Sequence, residues 1–164
     1  MIAEAQACSD QLAFALRSVK NAIRGLTPQQ LEFVPPGLAN SAATLVLHMA
    51  ATEVTIGELL SGRRAPEDLR KAVLLDRYTP APGGRPIAAA DPGESADALT
   101  EKLDRARAFL TEVLEGLTAA DLERTLTIGD RPTSVPFFLK LLPFHMASHC
   151  GQIMIIKRFL RPES

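Results

Sequence analysis

The chain has no tryptophan, one tyrosine, two cysteines and three histidines in 164 residues, and its formal net charge is -1. Each scarcity removes a class of protein. Cys8 and Cys150 lie at opposite ends of the sequence and form neither a disulfide framework nor a CxxC centre, so buried free thiols are expected. Acids and bases alternate without a basic stripe, which leaves no electrostatic footprint for nucleic acid. Residues 1–6 show no positive segment leading into an apolar one. No uninterrupted apolar run reaches the ~18 residues of a bilayer span. A soluble, cytoplasmic protein with no membrane and no nucleic-acid partner is therefore expected. HExxH is missing as well, because position 146 is methionine, and with it goes the general base of a zincin-type protease.

What the chain does have is apolar residues at helical spacing. Hydrophobic residues make up 46%, enough for one domain over 1–164 with a single core. Leu12, Leu16, Val19 and Ile23 mark a first helix over about 2–24, stopped at Gly25. Thr27 followed by Pro28 reads as a fresh N-cap and opens a short helix to about Phe33. Asn40 or Ser41 caps a second long helix carrying Leu45, Leu47, Ile56 and Leu60, which ends at Ser61-Gly62. Pro66 begins a further short helix, and 78–93, with four prolines and three glycines, reads as loop. A loop that long either covers a site or merely connects.

Ser95 caps a third long helix through Leu117, and Thr118 opens another short turn. The fourth long helix spans about 134–160, with Pro136 in its first turn. Pro143 falls in its interior and should kink or restart it. Strand signals hardly compete, so the class is all-α, and four long helices fit a bundle with a crossover.

The three histidines occupy apolar stripes. His145, His149, Gln152 and Ile156 share one face of the fourth helix, continued backwards by Phe138 and Leu141. His48 lies on the matching stripe of the second helix, between Leu45 and Thr52. A single core histidine bonded to a carbonyl is commonplace. Three on facing core stripes, with no histidine elsewhere, point instead to a divalent metal with one coordination position left open. Around them, Gln152 can orient a bound water. Cys150 is directed about 100° away from His149 and reads as packing, with a nucleophile or substrate contact as the alternative. Glu53, five residues after His48, is a poor direct ligand, best placed in solvent or as an outer contact. Tyr78 at the loop entrance is within possible reach of a substrate.

The same residues resemble the DinB/YfiT-like superfamily of metal-dependent four-helix-bundle proteins. The likeness covers nearly the whole chain and rests on three features. They are His48 in the capped second helix, within the segment 40–48, the segment from His145 to Ile153 similar to the family's HxxxHxGQ, and two Leu-Thr-x-x-x-Leu stretches, at 26–31 and 117–122. The resemblance implies an up-down-down-up bundle with short accessory helices, commonly a homodimer. It also implies Zn or Ni held by His48, His145 and His149, and S-transfer using a low-molecular-weight thiol such as mycothiol or bacillithiol. A metal-dependent hydrolase and a non-catalytic metal- or small-ligand-binding stress protein are the competing expectations. Two departures stand out: the tryptophan common before the second helix is absent, and Cys150 stands where an arginine often follows the last histidine.

Overall fold

The computed structural model describes residues 1–77, 87, 90–128 and 131–160. In chain order the elements are α1 (Ala3–Ile23), α2 (Pro28–Glu32), α3 (Ala42–Ser61), α4 (Glu67–Ala72), α5 (Ala96–Gly116), strands β1 (Thr125–Ile128) and β2 (Arg131–Ser134), and α6 (Val135–Phe159). Single 3-10 turns lie at Leu75–Arg77 and Ala119–Glu123.

Helix starts follow their caps. The Thr27 hydroxyl accepts the Gln30 N–H at 3.3 Å, and the Gln30 side chain accepts the Thr27 N–H at 3.0 Å, closing a capping box around Pro28. Ser41, Ser95 and Ser134 accept the N–H groups of Thr44, Ala98 and Phe137 at 3.2, 3.1 and 3.3 Å. Each such cap stabilises its helix by about 1 kcal/mol. Gly62, at φ +69, turns the chain out of α3 in the left-handed conformation while its N–H bonds the Glu58 carbonyl.

Contacts along the helices fix their directions. On α3 and α5, Glu53 meets Arg107, Gly57 meets Phe109, and Arg63 meets Glu112, so these two run parallel. Phe14 and Phe144 flank one cleft between α1 and α6, and farther along Lys157 bonds the Ala22 carbonyl at 2.9 Å, so this pair is parallel too. His48 near the start of α3 faces the middle of α6. Leu60 near the end of α3 is tied through Arg124 to Val135, where α6 begins. α3 and α6 are therefore antiparallel. The order is up-down-down-up, and parallel α3 and α5 demand the crossover that α4 occupies.

α3 is the core helix. Its length and mean hydropathy of 1.3 would suit a membrane span, yet 83% of that stretch is buried in the bundle. Burial on all sides explains why it is apolar all round. Gly57 is needed there, since a Cβ would approach the Phe109 ring to 2.7 Å.

Two features differ from the sequence expectation. A small antiparallel hairpin pairs Thr125 with Ser134 and Ile128 with Arg131. Its strands are four residues long with no buried face, too short to leave an alternating pattern, and Pro132 is tolerated because a two-stranded ladder has a free edge. In addition, α6 runs unbroken through Pro143 rather than restarting. That ring costs one helical hydrogen bond, and burial of Leu139, Leu142 and Pro143 compensates. Most of the long 78–93 loop lies outside the described residues. Its described part is anchored by Asn40, whose side-chain oxygen accepts the Ile87 N–H at 2.9 Å, and by Glu32, which accepts the Gly93 N–H.

Candidate metal centre

Antiparallel packing of α3 on α6 brings the three histidines to one point. His145 Nε2 is 2.9 Å from His48 Nε2 and 3.0 Å from His149 Nε2. Ring centroids lie 4.4 to 4.9 Å apart, with His149 edge-on to both neighbours. One ligand atom from each residue falls within a common 4.8 Å. His48 is buried, and the α6 pair is half-buried.

Hydrogen bonding alone does not account for this convergence. His149 Nδ1 lies 2.6 Å from Gln152 Oε1, which can only accept, so the proton is assigned to Nδ1 and the His149 Nε2 lone pair faces the cluster. The contact with His145 then needs a hydrogen on His145 Nε2. That single hydrogen cannot also serve His48 on its other side. A cation at the focus suits all three nitrogens at once, because each then offers a lone pair. Tetrahedral Zn–N bonds of about 2.0–2.1 Å place nitrogens about 3.3 Å apart, a few tenths of an ångström beyond the spacing found.

Electrostatics keep the imidazoles in ligand form. Burial, with the neighbouring His149, lowers the pKa of His48 from 6.5 to about 4. Burial, then His149 and His48, lowers that of His145 to about 3. Burial also lowers His149, opposed by its bond to Gln152. All three are neutral at pH 7, as metal binding requires.

Of the other candidates, Gln152 touches the cluster through His149 and orients its ring. Cys150 is buried, and burial raises its thiol pKa, the behaviour of a packing cysteine. Tyr78 lies outside the described residues. Glu53 is not in solvent as expected: it is 2% exposed and paired with Arg107 of α5, with Arg107 Nε donating to Oε2 at 3.0 Å. Burial raises the Glu53 carboxyl, while the Arg107 charge and hydrogen bonds lower it. Arg107 also reaches the Met146 sulfur at 3.4 Å. Neither Arg107 nor Met146 stood out in the sequence. The usable signal was the apolar surroundings of Glu53 on both sides in 49–56, which forecast a buried carboxylate needing a cation.

The family model described as the DinB superfamily matches residues 11–153, and the chain belongs to that superfamily. A solved structure of a conserved protein from Enterococcus faecalis is similar, with TM-score 0.78 and 17% identity over 96% of this chain and 97% of that one. A DinB-like protein from Bacillus cereus ATCC 10987 is similar with TM-score 0.62 and 17% identity, over 94% of this chain and 91% of the other. These likenesses show a common fold. No curated protein matches the sequence.

Proposed function

We propose that this member of the DinB superfamily is a metal-dependent enzyme in which His48, His145 and His149 hold Zn or Ni, and that its reaction is S-transfer from a low-molecular-weight thiol to an electrophile. The observation that supports this reading is the meeting of three neutral imidazole nitrogens, with 2.9 and 3.0 Å between the linked pairs. A divalent ion on three uncharged ligands keeps its full charge and lowers the pKa of a thiol or water bound at its open position.

The chain's own residues supply the rest. His48 fixes the deep side of the site from the core helix, and the α6 pair completes it one turn apart. Gln152 holds His149 in the tautomer that points Nε2 inward. Cys150 is buried, and burial raises its thiol pKa, which favours packing over thiol transfer.

The test is turnover of a panel of electrophiles with mycothiol, bacillithiol and related thiols by metal-loaded protein. His48→Ala, His145→Ala and His149→Ala should each abolish turnover while leaving the helical content intact. Metal-loaded protein that turns over water but no thiol would favour the hydrolase. Stoichiometric metal with no turnover at all would favour a binding protein.

We propose also that the working form is a homodimer. Phe14 on α1 and Phe144 on α6 are 67% and 70% exposed on the walls of one cleft that also holds Asp10 and Lys140. Aromatic ridges beside charges of both signs suit a second copy of the same face. Sedimentation should show a dimer that Phe144→Asp converts to monomer. A wild-type monomer at high micromolar concentration would contradict this.

A further inference from the structure

Among the described residues, Glu53 is the one carboxylate buried in the core. Its partner Arg107 touches more than Glu53. The guanidinium donates to both Glu53 oxygens on α3 and lies against the Met146 sulfur on α6. Both charges also act on the Cys8 thiol of α1, which burial pushes up to about 12. Three of the long helices, α3, α5 and α6, thus meet at one ion pair. Its place along them matters: Glu53 follows His48 by five residues, and Met146 directly follows His145.

Stability does not explain such a pair, because well-packed apolar replacements of buried ion pairs are often neutral or stabilising. Geometry offers a reason. Apolar contacts are non-directional and tolerate small slides between helices. A two-pronged guanidinium–carboxylate contact fits one arrangement only. A ligand set, in turn, must be held to within roughly 0.5 Å. Slipping α6 by one residue against α3 would move His145 about 1.5 Å along the axis and about 100° around it.

The geometry points to Glu53 and Arg107 as positioning residues that lock α3 against α5 through the fork and reach α6 at Met146, next to His145, and so hold the three imidazoles at cation-binding spacing. This rests on the metal-site reading above. Both residues act through the helices that carry the histidines.

The experiment is Co²⁺ titration, followed by visible absorption, of wild type, Glu53→Leu/Arg107→Leu and Arg107→Lys, with thermal melts of each metal-free form. The double variant should melt at or above the wild-type temperature, yet bind Co²⁺ about tenfold or more weakly with an altered d–d spectrum. Arg107→Lys, which keeps the charge and loses the fork, should fall between. Wild-type affinity and spectrum in a folded double variant would reduce the pair to packing and overturn the proposal. If the double variant does not fold, a wild-type spectrum in Arg107→Lys does the same. Failure of wild type to bind Co²⁺ would instead overturn the triad reading, and the proposal with it.

Discussion

Among the described residues, the Glu53–Arg107 pair and the histidine triad are two polar islands set into the bundle, and they are satisfied in opposite ways. Glu53 and Arg107 are unlike charges that complete each other, with hydrogen bonds made on both carboxylate oxygens. The histidines are three like groups, and one hydrogen on His145 Nε2 faces two neighbours. Complementary buried groups satisfy each other without a ligand. Like groups crowded to a point call for something of opposite character, and a cation is what three lone pairs share. The contrast separates two buried polar clusters that composition alone would treat alike.

The comparison can be broken from either side. The largest effect should come from half-deleting the complete island: Glu53→Leu strands Arg107 in the core and should destabilise the bundle by about 3–5 kcal/mol in urea unfolding. A loss under about 1 kcal/mol would mean that Arg107 escapes to water, and that the pair does not brace the interior. Deleting the orienting contact of the other island should be milder. Gln152→Ala should weaken Zn or Co²⁺ binding about 10- to 100-fold without lowering the melting temperature of the metal-free protein. Unchanged affinity would remove Gln152 from the site.

The third effect concerns pH. Folded His48 and His145 titrate near 4 and 3, below the ordinary 6.5, so between about 6.5 and 4 the unfolded chain takes up protons that the folded chain refuses. Metal-free protein should accordingly lose stability as pH falls through that window. Melts at pH 7 and pH 5 should show the drop, and His48→Phe/His145→Phe should flatten it. An equal drop in that variant would assign the acid sensitivity to other groups.

Much of this was legible in the sequence because local chemistry wrote it. Ser95 heads its helix with a hydroxyl placed for N-capping. Asn40 and Ser41 both offer a cap for α3 and Ser41 makes it, while Ser134 reads only as the start of the last helix, which it caps. His48, His145 and His149 could be brought together on paper because apolar stripes told which faces meet. Other features left no local trace. Arg107 lies 54 residues from Glu53, and nothing in its neighbourhood on α5 announces a buried partner. The hairpin at 125–134 has no apolar face to register. Pro143 predicts a kink or a restart, and α6 runs through it as one helix. Cys150 and Gln152 shared a segment but not a fate, since two residues, about 200° of helix rotation, separate burial from contact with the cluster.

The most direct test of the account is metal content per chain, by elemental analysis of untagged protein purified without chelator, alongside His145→Ala. The account predicts close to one Zn or Ni per wild-type chain and none in the folded variant. A metal-free wild type that stays metal-free after reconstitution and dialysis would contradict it, as would full retention in His145→Ala.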